Sequence, residues 1–338
     1  MNRTQADGLS LARFAERGRT LIELVIAMAI SLVIIGAVAS LYFSSSKVSR
    51  MASQVGSVEE GARLAMFFIG DAIKLAGYGE IVGSDWSARG QTMFDGAHIR
   101  GCVGRPFKDP FASPPDLTCD TGKTVPGDVL YVRFQAGPEI AQVSAAEQAN
   151  LTMPDCAGDS NANQDEMIEL TSAHVKAGVQ RMMVTNVFGL NAAGTSLNCQ
   201  GNGGGGNQPL VGNVKHFKVF FRFDDAAFEA AKYGITNAAP LGGSVRDATF
   251  LNAQASTVTS AWDYVTAVMV CMTVETDELG ISDDSTNTKA TRCPTTEKEA
   301  EESKGDLVET TTTGKVQRTY AHVFTVRSRA TASPALTL

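Results

Sequence analysis

The most constraining feature of this 338-residue chain is a run of 20 residues, Leu24 to Phe43, that carries no charge. It reads LVIAMAISLVIIGAVASLYF, and only Ser31, Gly36 and Ser40 interrupt its apolarity. As a helix it would rise about 30 Å, the thickness of a bilayer's hydrocarbon core. Arg3, Arg13, Arg17 and Arg19 precede it. Basic residues on that side place the N-terminus in the cytoplasm and the rest of the chain across the membrane. Such a segment has three fates. It is a signal peptide cut at Ala37-Val38-Ala39, a permanent anchor, or a segment retained after cleavage in front of it.

The third fate is favoured by Gly18-Arg19-Thr20-Leu21-Ile22-Glu23-Leu24. A carboxylate at the edge of an apolar span is costly unless paired, which makes Glu23 a candidate functional residue. The segment resembles the class III signal of type IV pilins and pseudopilins. That resemblance implies cleavage by a prepilin peptidase between Gly18 and Arg19, with the apolar helix kept. It also implies methylation of the amine freed at Arg19. Glu23 then holds the position where family members place a glutamate that pairs with the N-terminal amine of a neighbouring subunit. Arg19 stands where phenylalanine is usual.

Beyond the apolar run, Val48, Met51, Val55 and Val58 recur at helical spacing, followed by Ala62, Met66, Ile69, Ile73 and Ala76. The helix is expected to end at Gly77-Tyr78-Gly79. Glu59 to Gly79, EEGARLAMFFIGDAIKLAGYG, resembles the corresponding segment of the PilW family of minor pilins. GDVLYVRF at 127–134 and YAHVFTVRSR at 320–329 are similar to strands of that family.

After residue 79 the pattern becomes alternating. Strands are expected at Val129–Gln135, Met167–Thr171, Gln180–Phe188, Val214–Phe223, Tyr264–Thr276 and Tyr320–Arg327, with one short helix at Asp225–Tyr233. There is no α/β alternation, which argues against a doubly wound parallel sheet. The expected fold is α+β and pilin-like, a long N-terminal helix packed on a mostly antiparallel sheet with large loops. Its divisions are a leader at 1–18, a helix at 19–78 spanning the membrane over 24–43, and a β-rich exported domain at 79–338.

Six cysteines, Cys102, Cys119, Cys156, Cys199, Cys271 and Cys293, all follow the apolar run. An even number on the exported side points to disulfides, and many connectivities are open to them. Pairing of sequence neighbours is the expectation adopted: Cys102–Cys119, Cys156–Cys199 and Cys271–Cys293. Asp159, Asn161, Asn163 and Asp165 alternate along one loop as calcium ligands do. Gln164 and Leu170, however, stand where a calcium loop needs glycine and glutamate. The glycine-rich stretch 198–208 lacks the lysine and following helix of a phosphate loop and reads as a flexible loop. Residues 295–309 read as a solvated helix or loop.

No hydrolase, nucleotide-binding or zinc motif is present, so an enzyme is not expected and no cofactor is implied besides the calcium candidate. A net charge of −7 argues against direct nucleic-acid binding. The family resemblance implies a minor pilin in the inner membrane and then in the pilus, within a tip complex that primes assembly and supports adhesion, twitching motility and DNA uptake. The partners it implies are the major pilin, FimU-, PilV- and PilX-like minor pilins, a PilY-type adhesin and the prepilin peptidase. Three other readings stay open. They are a J-type minor pseudopilin of type II secretion, a soluble periplasmic binding protein released at Ala39, and a membrane-anchored hydrolase.

Overall fold

In a computed structural model, residues 20–78, 98–112, 115–135, 154–158, 167–169, 180–223, 250–252, 262, 265–277, 288–302, 307–311 and 315–326 are described. The chain divides into two compact units, one ending at Ala52 and the other beginning at Ser53. Helix α1 spans Leu21–Leu75.

In the second unit α1 buries Ala62, Ala65, Met66, Ile69, Ala72 and Ile73 at spacings of three and four, as the apolar periodicity predicts. Val48, read from the sequence as part of the same stripe, is exposed. The glycines at 56 and 61 do not interrupt the helix. After Leu75 the chain turns at Gly77, whose φ of 70° a side chain would strain. Gly77 then donates its amide to the Arg133 carbonyl at 3.0 Å.

Two antiparallel sheets receive this helix. The first contains β1 (Ile99–Cys102), β4 (Val129–Gln135), β6 (Gln180–Leu190), β7 (Ser196–Gly201) and β8 (Asn207–Gly212) in the order β1-β4-β6-β7-β8, with β5 (Met167–Glu169) also on β6. The second runs β10-β9-β11-β14, formed by β10 (Phe250–Asn252), β9 (Val214–Phe223), β11 (Val265–Glu275) and β14 (Gln317–Thr325). Two small pairs complete the described strands, β2 (Phe107–Asp109) with β3 (Asp116–Cys119) and β12 (Thr288–Thr291) with β13 (Val308–Thr311). A short helix α2 (Glu297–Glu302) lies between β12 and β13.

The strand β4, between β1 and β6, is buried along its whole length because both its faces are covered. Leu130, Val132 and Phe134 enter the main core with α1, β9 and β11. Val129 and Tyr131 point the other way, to Phe107 and Leu117 of the β2–β3 pair. The Cys102–Cys119 bond ties that pair to β1.

Several sequence expectations shift in detail. The strands expected at Tyr264–Thr276 and Tyr320–Arg327 are Val265–Glu275 and Gln317–Thr325. β5 is described over Met167–Glu169 only. The stretch 198–208 is not an open loop. Most of it is a hairpin in which Leu197 pairs with Val211 and Cys199 with Gln208, and Gly204 and Gly206 make the turn at positive φ. The helix expected at 225–233 lies outside the described residues.

Candidate functional site

Thr20 opens α1. Its carbonyl accepts the amides of Glu23 at 3.1 Å and Leu24 at 3.3 Å. Thr20 and Glu23 thus have the T-x-x-E spacing of a capping box, in which a carboxylate in the first turn meets unpaired amides and the positive end of the helix dipole. Glu23, expected from the sequence to await an external partner, thus also has a local reason for its place. The signal was Thr20, three residues upstream.

The next 20 residues are apolar on every side rather than along a stripe. Leu21, Val33, Leu41 and Phe43 are 83, 72, 70 and 71% exposed, and nothing in the most apolar window of the helix is buried. A helix in water buries one face and solvates the other; one that is apolar all round belongs in lipid or among other helices. The helix is long and apolar enough to cross a membrane. Within it the Ser40 hydroxyl is satisfied internally, since Oγ donates to the Ala37 carbonyl at 2.8 Å. Leu24, Ala27, Met28, Ser31, Leu32 and Ile35 line a shallow concavity, where small side chains dip between large ones. A Cβ on Gly36 would meet nothing within 4 Å, so the chain's own packing does not require glycine there. Close approach of a second helix would.

The processing residues Gly18 and Arg19 and the calcium candidates Asp159, Asn161, Asn163 and Asp165 lie outside the described residues. The six cysteines form the bonds Cys102–Cys119, Cys156–Cys199 and Cys271–Cys293, with Cα separations of 5.8, 6.1 and 5.7 Å.

Comparison with solved structures gives a coarse likeness. The chain is similar to a type IV-like pilin from Thermus thermophilus. The two are 11% identical, the match covers 80% of this chain and 96% of that one, and the TM-score is 0.34. No protein-family profile matches the chain, and no curated protein does.

The charged groups of the sheet region sort into clamps. Asp128, buried just before β4, accepts the Val219 amide at 3.0 Å and the Lys218 ammonium at 3.2 Å, while its own amide donates to the Phe217 carbonyl at 3.1 Å. It therefore joins the first sheet to β9 of the second. Burial pushes its carboxyl up from the ordinary value, against the pull of Lys218. A pKa raised on folding adds stability that is complete below the unfolded value, about 3.9, and is lost as pH rises through the folded value. Wild-type protein should therefore lose stability relative to Asp128→Asn as pH climbs from about 3.5 toward 7. Urea midpoints of both chains across that range test it, and a constant difference would refute it. His216, beside Glu309 at 3.8 Å, is held below its ordinary value by burial. Arg292 holds the Glu299 carboxyl well below the usual carboxylate range.

Proposed function

We propose that this chain is a minor subunit of a type IV pilus, similar to PilW, whose apolar helix inserts in the inner membrane and then packs into a filament. The observation that carries the reading is the conjunction at the start of α1. A glycine lies five residues before a glutamate, and that glutamate opens a charge-free span apolar on all sides.

The physics of assembly follows from those residues. Cleavage after Gly18 leaves a new amine at Arg19, four residues before Glu23. In a bundle of such helices Glu23 reaches the amine of a neighbour only at one axial offset. Any other offset leaves a carboxylate unpaired among apolar side chains, which costs several kcal/mol. Apolar contact holds the bundle together, and Glu23 sets its register. The sheet region suits a tip better than a shaft, because bulk on a few subunits does not crowd a filament. In this reading the partners are the major pilin, the other minor pilins and a PilY-type adhesin.

The test is mass analysis of the mature N-terminus from cells with and without the prepilin peptidase. A chain that starts at Arg19, methylated or not, and only when the peptidase is present supports the reading. A start at Ser40 removes Glu23 and the helix and refutes it. An intact Met1 leaves a static anchor and refutes it as well.

A further inference from the structure

The outer face of the second sheet can be read from its registers. Met269 lies opposite Phe220 on one side and Val323 on the other, an apolar row across three strands. The next row is Lys218, Cys271 and Ala321, and the one beyond is His216, Thr273 and Thr319. The alternate residues of β11, Val268, Val270 and Met272, face the main core. On the outer face Phe220 and Met269 are 2 and 7% exposed and form one buried cluster with Ala300 of α2, whereas Val323 is 52% exposed. The strap from Arg292 to Glu302 thus covers one end of the apolar row and leaves the other open.

Several of the strap's polar bonds are internal. The Arg292 guanidinium donates to both Glu299 carboxylate oxygens, at 2.6 and 2.9 Å. The Thr295 amide and hydroxyl donate to the same carboxylate at 2.8 and 2.9 Å. The Thr296 hydroxyl accepts the Glu299 amide at 3.2 Å. These bonds shape the strap without fastening it to the sheet, and a helix of six residues does not persist unaided. Among the described residues the strap is joined to β11 by the Cys271–Cys293 bond, with the Thr273 hydroxyl against Cys293 Sγ at 3.5 Å, and by the apolar contact of Ala300; α2 also lies against β10, and the Arg292 amide donates to the Leu307 carbonyl at 2.9 Å. At the strap's root the Thr319 hydroxyl donates to the Thr291 carbonyl at 2.7 Å.

We propose that Cys271–Cys293 is the latch of this strap, and that the strap closes over Phe220 and Met269 only when that bond forms. The oxidant belongs to the class of protein or small-molecule disulfides. The thiolate of one cysteine attacks a sulfur of the oxidant, expels a thiolate and forms a mixed disulfide. The second cysteine attacks its partner's sulfur in that bond and expels the oxidant's second sulfur as a thiolate, so the oxidant ends as a dithiol if it is a protein disulfide and as two thiols if it is a small molecule. Two thiols lose two protons and two electrons, and the oxidant gains both. Until then the row Phe220–Met269–Val323 is open across its full width. Once closed, the bond lies beneath the strap, with Cys271 fully buried and Cys293 2% exposed, so reduction has to await lifting of the strap. The inference is independent of the pilin reading and requires only that the domain meet such an oxidant.

Hydrogen exchange resolved by peptide tests it, on the full chain carrying Cys271→Ala and Cys293→Ala with the other two bonds intact. Amides of 292–302 should exchange at least about tenfold faster, while those of β9 and β11 keep their protection. An apolar-surface dye should brighten. Unchanged strap protection would overturn the proposal, and so would a loss spread evenly over both sheets. Where the double variant does not fold, oxidised wild-type protein reduced by a phosphine, with its thiols counted by alkylation, is read by the same two outcomes. Glu299→Gln breaks the internal clasp and leaves the latch. It should speed strap exchange by less than the latch variant does, and a larger increase would also overturn the proposal.

Discussion

Glu23→Val is expected to remove the chain from filaments while leaving its insertion in the membrane intact. Insertion gains from losing a charge at the edge of the apolar span. On the register mechanism proposed above, assembly loses, because the neighbour's N-terminal amine would enter the bundle with no carboxylate to meet. Breaking a buried ion pair at one partner costs about 3–5 kcal/mol, a drop of at least about 100-fold in the equilibrium for incorporation. The measurement is the amount of this subunit in sheared filaments against the amount in membranes, by immunoblot. Glu23→Asp keeps the charge on a shorter arm and should recover part of the incorporation. Wild-type amounts of Glu23→Val in filaments would end the register mechanism. The capping-box spacing of Thr20 and Glu23 supplies a control. Thr20→Ala weakens the helix start by about 1 kcal/mol and should reduce incorporation far less.

Gly201→Ala is expected to destabilise the sheet region by about 2–4 kcal/mol, although it adds a single methyl group. A Cβ at 201 would overlap the Asp155 side chain. Asp155 cannot swing aside without loss. It is buried, and its carboxylate accepts the Gly203 amide at 2.7 Å and the Ala157 amide at 2.9 Å. Overpacking costs about 1–3 kcal/mol, and abandoning those amides costs a similar amount. The neighbouring bonds confirm how tightly this corner is built. Asn186 accepts the Cys156 amide, Asn202 bridges the Thr185 amide and the Met183 carbonyl, and Cys156 is bonded to Cys199. Urea unfolding of Gly201→Ala, Asp155→Ala and the double variant measures the effect. The double variant should be less destabilised than the sum of the singles, because the overlap is gone. Simple additivity would show that the close approach is not the cause.

The parts of the fold legible in the chain were those governed by neighbours in sequence. The apolar run and the three-four spacing from Ala62 to Ile73 specify a helix by themselves, since period and length are local properties. β4, β6, β9 and β11 were legible because long β-branched and aromatic runs serve strands buried on a sheet. β1, β2, β3, β7 and β8 were not. They are short, and β8 carries Asn207, Gln208 and Pro209 on an edge, where proline is tolerated and polar side chains meet water. Nothing in NQPLVG marks it as a strand until β7 lies beside it.

By itself, then, the sequence determined that this chain has a membrane-length helix with one carboxylate at its mouth, an amphipathic continuation, and a β-rich part that carries all six cysteines. Each is a matter of spacing along one segment. Tertiary structure alone decided that Asp128 would clamp β4 to β9, that Gly201 would face Asp155 with no room for a methyl, and that Cys293 would fasten a strap over Phe220 and Met269. Those partners lie far apart in the chain. Strand order and register set their meeting, and these depend on how all the apolar faces share one core.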